Sequence, residues 1–343
     1  MASIPYMGSK RKSAGKIYQA IKNQNPNADI ICDLFCGGFA ISDYFLKNGW
    51  SVISNDKNKY VVALIDQTIN KGLDEKKCLE FVSRDTFFDA INNSDKYEDW
   101  YVGYIQCVWS FGNTQTNYLF GKEIQDYKEA CHELVVNCNP DSIIKLIPTI
   151  SKEDINLIIN QENWNLRRMQ FIKFIRSSKI RLNELPISKL KQLEQLKQLE
   201  QLERLEQLER LQQLEGLQGL QGLQGLKTLK TLKIPEQLEL IQQIGTVKLT
   251  SLSYNEVETP HNAIIYCDPP YKGTAEYKEG NFNHAKFWEW VREKSKTHDI
   301  YISEYQAPDD FEAILSFEQK STLQGGTQKH DNQPKECLFR IRK

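Results

Sequence analysis

The stretch AIIYCDPPY, residues 263–271, is the part of the sequence that decides the fold. Its apolar first half is typical of a strand buried on both faces of a parallel sheet. The two prolines end that strand, because proline donates no backbone hydrogen bond and has a fixed φ. Asp268 therefore stands at the carboxyl end of a central strand, where open α/β sheets bind their ligands. A rigid turn leaving the core is the alternative explanation of the same residues.

Two further strands with polar ends lie near the start of the chain. Residues 30–32 are a short apolar run, followed by the glycine turn DLFCGGFA at residues 33–40 and a helical segment. Strand, glycine turn and helix form the first half of a nucleotide-binding βαβ unit, in which paired glycines let the backbone approach a ligand closely. A second strand, residues 51–54, leads to Asp56, an acid placed to bind ribose hydroxyls. An N-cap for a helix over residues 57–69 is the compatible alternative role.

Four motifs in this order resemble the DNA adenine-N6 methyltransferases of the Dam-like type. They are the opening YMGSK turn at residues 6–10, the DLFCGGF turn, the acid Asp56 and the late DPPY. The resemblance covers residues 4–65 and 245–343. It implies an α/β fold with a Rossmann-like methyltransferase sheet, S-adenosyl-L-methionine as methyl donor and duplex DNA as substrate.

The resemblance also assigns residues to roles. The catalytic residues that it implies are Asp268, Pro269, Pro270 and Tyr271. The cofactor-binding residues that it implies are Tyr6, Lys10, Asp33, Phe35, Gly37, Asp56 and Asp268. No metal is expected, because the sulfonium of the cofactor supplies the methyl group.

The exocyclic amine of adenine needs help to act as a nucleophile, because its lone pair is delocalised into the ring. Two acceptors in reach of its N–H groups localise that lone pair. The Asp268 carboxylate is the first expected acceptor and the Pro269 carbonyl is the second. Tyr271 is expected to stack on the base, an interaction worth about 1–3 kcal/mol, which helps to offset the cost of flipping the base out of the duplex.

Residues 66–185 read as mostly helical, and the resemblance implies that the region between the cofactor-binding half and the catalytic motif recognises the target sequence. Residues 164–183 contain six cations and no acid. The candidate DNA contacts in this run are Arg167, Arg168, Lys173 and Arg176. A solvated helix face is the alternative. Because the formal net charge of the chain is only -1, a DNA-binding surface must come from a local basic patch such as this one.

Leucine occurs at every third position from Leu190 to Leu232, fifteen times in all. On an α-helix these leucines would spiral instead of forming one stripe, and the spacing differs from the 3.5-residue average of a leucine zipper. Long 3₁₀ helices are rare, and a strand would place successive leucines on opposite faces. A compact solenoid of short repeats stays open as well. We expect a separate element that projects from the catalytic core.

The predicted organisation has three parts. Residues 1–65 and 245–343 form the S-adenosyl-L-methionine-binding catalytic domain, residues 66–186 the helical target-recognition region, and residues 187–233 the leucine-triplet insertion. Later strands are predicted at residues 247–249, 299–303 and 337–341.

Composition limits the class of protein and its surroundings. No apolar segment of membrane-spanning length and no signal peptide is present, and the scattered cysteines have no zinc-site spacing. A cytoplasmic monomer that acts on duplex DNA, with a cognate restriction enzyme as a further partner, is the expectation. Cytosine-N4 methylation is the alternative within the same chemistry. A non-catalytic DNA-binding or scaffold protein on a methyltransferase fold is the alternative from another class.

Overall fold

The computed structural model describes most of the chain outside the leucine repeat. The described residues are 4–147, 149–177, 246–271, 282–317 and 335–342. They divide into two compact units, one containing residues 4–72 together with the described residues from 246 onward, and the other containing the described residues from 73 to 177. The predicted leucine-triplet insertion, residues 187–233, lies outside the described residues.

The first unit is built on a seven-stranded sheet. Its strands are β1 (Ile30–Asp33), β2 (Ser51–Asn55), β3 (Val247–Thr250), β4 (Ile264–Cys267), β5 (Ile300–Glu304), β6 (Phe311–Phe317) and β7 (Glu336–Ile341). Their order across the sheet is β3-β2-β1-β4-β5-β7-β6. The first five strands of that order pair in parallel, while β7 runs antiparallel to β5 and β6. The mostly parallel α/β sheet agrees with the predicted fold class.

Strand β1 lies at the centre, between β2 and β4. Ile31 is opposite Val52 on one side and Ile264 on the other. Every residue of β4 is buried, as its continuous apolar sequence predicts. Because these strands are parallel and end at neighbouring positions, the polar residues that follow them meet at one edge of the sheet. That edge contains the candidate active site.

The α-helices alternate with the strands of the first unit and make up the second unit. In chain order they are α1 (Ala14–Gln24), α2 (Ala40–Lys47), α3 (Lys59–Asp66), α4 (Glu75–Leu79), α5 (Arg84–Asn92), α6 (Asp99–Val108), α7 (Gln125–Val135), α8 (Asp141–Leu146), α9 (Lys152–Ile159), α10 (Trp164–Ser177) and α11 (His284–Lys294). Short 3₁₀ turns occur at Lys10–Lys12, Ser94–Lys96, Phe111–Asn113 and Lys122–Ile124, and a π-turn at Gln67–Lys71 extends α3.

The core of the first unit lies between the sheet and the helices on it. Phe287 and Val291 of α11 pack in one buried cluster with Ile265 of β4 and Ile302 of β5. Burying a Phe or Val side chain of this kind stabilises the fold by roughly 1.5–3 kcal/mol. This packing fixes β4, and with it the position at which Asp268 leaves the sheet.

The second unit is helical in its described residues. Phe171 and Phe174 of α10 are buried against Ala130 and Leu134 of α7 and Ile158 of α9. The prediction of a mostly helical segment is therefore confirmed for residues 73–147 and 149–177. None of the helices in the described part of the chain has the length and apolar character that crossing a bilayer requires.

Candidate active site

Three aspartates gather at the carboxyl ends of the central strands. Asp33 is the last residue of β1, Asp56 follows β2, and Asp268 follows β4. Asp33 is 1% exposed, and its Oδ2 accepts a 2.7 Å hydrogen bond from the Ser42 hydroxyl. Burial raises the pKa of Asp33 to about 7; the Ser42 hydrogen bond opposes the shift, and the negative charges of Asp268 and Asp56 add to it. The charges of Asp56 and Asp268 therefore act on Asp33 at this edge.

The glycine turn after β1 is packed against the N-terminal segment. Gly37 has φ +44°, and a Cβ there would lie 2.8 Å from the ring of Tyr6. A Cβ on Gly38 would lie 2.3 Å from the Ile4 carbonyl oxygen, and the Ile4 N–H donates to the Gly38 carbonyl at 2.9 Å. Only glycine fits here. The glycines thus permit close approach of the chain's own segment 4–6, which brings Tyr6 beside the turn.

Asp56 is held by main-chain donors. Its Oδ2 accepts from the Gly37 N–H at 2.9 Å, and its Oδ1 accepts from the Asn58 N–H at 2.9 Å. Burial raises the pKa of Asp56, although both hydrogen bonds oppose the shift. The N-cap of α3 is Asn58 and not Asp56, because the Asn58 side chain accepts from the N–H groups of Tyr60 and Val61. The carboxylate is therefore fixed beside the glycine turn without serving as the helix cap.

Asn55 is an organising residue that the sequence did not reveal. Its Nδ2 donates to the carbonyls of Leu34 and Leu252 at 3.1 and 3.0 Å. Its Oδ1 accepts from the Leu252 N–H and the Thr250 hydroxyl, both at 2.9 Å. This buried amide joins the loops that follow β1, β2 and β3. An asparagine at a strand end is a common turn residue, so nothing in its sequence context distinguished it.

Phe35 belongs to an aromatic cluster at the same edge. Its ring stacks on Tyr254 with centroids 5.6 Å apart, and it meets Phe282 and Phe287 edge-on. Phe35, Tyr254 and Phe282 are only partly buried. The cluster therefore presents aromatic surface beside the carboxylates.

Asp268 is held by side chains from distant parts of the chain. Its Oδ2 lies 2.7 Å from Lys10 Nζ, and its Oδ1 accepts a 2.8 Å hydrogen bond from the Tyr271 hydroxyl. Glu336, the first residue of β7, joins the same network: its Oε1 is 3.3 Å from Lys10 Nζ and 2.8 Å from the Tyr271 hydroxyl oxygen. The four residues form one buried group that we call the Asp268 network.

Burial and charge act in opposition within the Asp268 network. Burial lowers the pKa of Lys10, but the carboxylates of Asp268 and Glu336 outweigh it, so the pKa lies above its ordinary value. Burial also raises the pKa of Glu336, against the opposing charge of Lys10. For Tyr271, burial and the two neighbouring carboxylates all raise the phenol pKa. Lys10 is therefore protonated and Tyr271 is a neutral hydrogen-bond donor.

The remaining DPPY residues surround this network. Pro269 is buried and Pro270 half-buried directly after Asp268. The Tyr271 ring meets Tyr305 edge-on at 4.8 Å, and Lys10 Nζ lies 4.9 Å from its centroid. In this structure the Tyr271 hydroxyl is directed at the carboxylates, and the expected stacking on a base stays a prediction.

Glu336 was not predicted as a site residue from the sequence. Its place at the start of an apolar run, after Lys335, is typical of a solvated strand end, yet its side chain is fully buried. Its partner Lys10 lies at the opposite end of the chain. A local sequence pattern carries no signal for such a pair.

The basic residues of α10 differ in their surroundings. Arg167 Nε donates to the Val135 carbonyl at 2.6 Å, and its terminal nitrogens donate to the carbonyls of Gln161 and Val136. Arg168 is half-buried, whereas Lys173 and Arg176 are exposed. The four predicted DNA contacts therefore share one helix, and Lys173 and Arg176 are the two that are exposed.

Comparison with known protein families gives a match that agrees with this geometry. Residues 6–138 match the family model of the D12 class N6 adenine-specific DNA methyltransferase. The match includes the YMGSK turn, the glycine turn and Asp56, while DPPY lies beyond it. No curated protein matches the chain. With these motifs and this sheet, the match supports grouping residues 6–138 with the D12 class N6 adenine-specific DNA methyltransferases, a family of enzymes.

Proposed function

We propose that this enzyme transfers a methyl group from S-adenosyl-L-methionine to the N6 atom of adenine within a short recognition sequence of duplex DNA. The observation that carries the proposal is the position of Asp268. Its carboxylate leaves the central strand β4 at the sheet edge that also holds Asp33 and Asp56. One edge thus offers acceptors for a cationic cofactor and for the amine of a base.

The residues at this edge fit S-adenosyl-L-methionine chemically. Asp56 has two fixed carboxylate oxygens, each with lone pairs beyond its one N–H partner, which suits a pair of ribose hydroxyls. The partly buried ring of Phe35, which stacks on Tyr254, suits an adenine ring. Asp33, with its pKa raised by burial and by two neighbouring carboxylates, suits a positively charged ligand, since a cation favours its ionised form. The cofactor supplies an electrophilic methyl group when bound.

Asp268 is the residue that we assign to the adenine amine. Lys10 and Tyr271 hold its two oxygens at 2.7 and 2.8 Å, so its orientation is fixed before a substrate arrives. A carboxylate oxygen can accept a further hydrogen bond. Accepting one N–H of the amine, with the Pro269 carbonyl accepting the other, localises the nitrogen lone pair for attack. Such preorganised acceptors need no rearrangement during the reaction.

Duplex DNA is the proposed substrate, and exposed cations are the expected means of binding it. Lys173 and Arg176 on α10 supply positive charge on a chain whose formal net charge is -1. Phosphate contacts of this kind provide affinity that does not depend on sequence. The cognate restriction enzyme, the monomeric state and the cytoplasmic location stay predictions of the sequence.

The test is to incubate the protein with mixed-sequence duplex DNA and methyl-labelled S-adenosyl-L-methionine, and then to identify the labelled nucleoside. We expect the label in N6-methyladenine. Label in N4-methylcytosine would show that the target base is cytosine instead of adenine. Cofactor binding without any transfer would support the scaffold alternative.

A further inference from the structure

The Asp268 network contains one hydroxyl between two carboxylates. The Tyr271 oxygen lies 2.8 Å from Asp268 Oδ1 and 2.8 Å from Glu336 Oε1. A phenol has one proton to donate. If both carboxylates were ionised, one negative oxygen would face the lone pairs of Tyr271 at hydrogen-bond distance. A further proton between Tyr271 and one of the two carboxylates removes that repulsion.

Lys10 does not supply this proton. Its ammonium group has three N–H donors, and three acceptors surround it: the Gly8 carbonyl at 3.1 Å, Asp268 Oδ2 at 2.7 Å and Glu336 Oε1 at 3.3 Å. One N–H is thus available for each acceptor. The contact between Tyr271 and the second carboxylate still needs its own proton.

Burial identifies Glu336 as the proton's holder. The Glu336 side chain is 0% exposed, whereas that of Asp268 is 17% exposed and closer to Lys10. Glu336 Oε2 is buried and has no hydrogen-bond partner among the described residues. An ionised carboxylate with a bare buried oxygen is costly, while the carbonyl oxygen of a neutral carboxyl carries no full charge. With Glu336 neutral, Lys10 and Asp268 also balance each other's charge.

We propose that Glu336 is a positioning residue that keeps a proton: its neutral carboxyl donates through Oε1–H to the Tyr271 oxygen, so that the Tyr271 hydroxyl donates to Asp268. This inference rests on the proposed function of Asp268. The effect on the reaction is indirect. Asp268 stays oriented, with Lys10 and Tyr271 as donors and further lone pairs for the amine.

The direction of the pKa shift agrees with this assignment, because burial raises the pKa of Glu336. Among the titratable groups facing Glu336, Lys10 and Tyr271 contact it directly. Asp268, Tyr266 and Tyr305 lie near enough to interact with it electrostatically. Ionisation of Glu336 would attract the Tyr271 proton and Lys10 away from Asp268. Transfer is therefore expected to decline as pH rises through the pKa of Glu336.

The direct test is infrared spectroscopy of the folded protein labelled with ¹³C-glutamate, which separates glutamate carboxyl bands from those of Asp33. We expect a protonated carboxyl band from glutamate at neutral pH. It should disappear in Glu336→Gln and persist in the control Glu312→Gln, whose side chain is 39% exposed and paired with Arg340. Absence of the band in the wild type, or its persistence in Glu336→Gln, would overturn the proposal. This readout needs no methyl transfer, so it stands apart from the proposed function.

Kinetics provide the second test. Glutamine is neutral and donates an N–H to Tyr271, so Glu336→Gln should retain more transfer than Glu336→Ala by at least about tenfold, the cost of one unmade buried hydrogen bond. The decline at alkaline pH should be absent in Glu336→Gln. Equal losses in the two variants, or an unchanged alkaline decline in Glu336→Gln, would mean that Glu336 has only a structural role.

Discussion

Asp56 follows β2 and Asp268 follows β4, the two strands that flank β1, yet they are held in different ways. Asp56 accepts from the main-chain N–H groups of Gly37 and Asn58, whereas Asp268 is held by the side chains of Lys10 and Tyr271. Main-chain N–H donors are positioned by the backbone of the turn and of the helix start, so most side-chain substitutions leave them in place. Side-chain donors depend on individual residues and their protonation. Asp56, the proposed cofactor ligand, should therefore tolerate changes around it, and Asp268, the proposed catalytic residue, should not.

The largest expected effect comes from Asp268→Ala. Loss of the acceptor should lower methyl transfer by about 10²–10⁴-fold, the range of acid–base contributions, with little change in S-adenosyl-L-methionine affinity. Single-turnover rates and equilibrium cofactor binding measure the two quantities. Asp310→Ala, which removes a carboxylate from an exposed pair with Arg292, is the matched control. Retention of more than a few per cent of turnover would remove Asp268 from the mechanism. Because a buried lysine loses its partner, the melting temperature should also be measured.

Asp56→Ala should mainly weaken cofactor affinity, whereas Asp268→Ala should mainly lower the transfer rate. Loss of a charge-assisted hydrogen bond weakens S-adenosyl-L-methionine binding by about ten- to a hundredfold. Calorimetric titration measures that change, and Asp310→Ala again serves as the control. An unchanged cofactor affinity would leave Asp56 as a residue that only orders the glycine turn.

The pH dependence of cofactor binding tests the expected role of Asp33. Burial raises its pKa to about 7, and a cationic ligand favours the ionised form. S-adenosyl-L-methionine affinity should thus be high above pH 7 and fall below it, by at most about tenfold per pH unit, since one proton is linked. Binding measured from pH 6 to pH 8 checks the sign, and Asp33→Asn should flatten the dependence. A cofactor affinity that rises as pH falls would contradict the proposed role of Asp33.

The cations of α10, on the expected DNA-binding surface, also differ in whether main-chain groups hold them. Arg167 is engaged with main-chain carbonyls, whereas Lys173 and Arg176 are exposed. Replacing Lys173 and Arg176 by glutamine should weaken all DNA sequences alike and reduce the slope of log K against log salt by about one per lost contact. A changed sequence preference at constant slope would instead identify base contacts. Arg167→Gln should mainly lower the melting temperature.

The sequence predicted most of the sheet and the acids at its edge. The apolar runs of β1 and β4 are buried on both faces, and strands of that kind can be recognised from the sequence without tertiary information. Strand β6 was not predicted. Its sequence, FEAILSF, has no regular alternation of polar and apolar residues. Its pairing with β7 includes a register shift between Ala313 and Leu315.

The residues of the candidate site were predictable only where they lie together in one local segment of the chain. The glycine turn and Asp56 belong to one βαβ unit, so their proximity follows from chain order. Lys10 and Glu336 meet Asp268 through tertiary structure, and their types alone suggested surface charges. The packing of Tyr6 against the paired glycines was not predicted either, since Tyr6 comes from a separate segment of the chain.

The most direct test of the difference between Asp56 and Asp268 is the single-turnover rate of methyl transfer measured against S-adenosyl-L-methionine concentration for Asp56→Ala and Asp268→Ala. We predict that saturating cofactor restores the rate of Asp56→Ala towards that of the wild type, while Asp268→Ala stays slow at every concentration. Restoration of Asp268→Ala, or a rate for Asp56→Ala that saturation leaves unchanged, would contradict the assignment of one carboxylate to the cofactor and the other to the base.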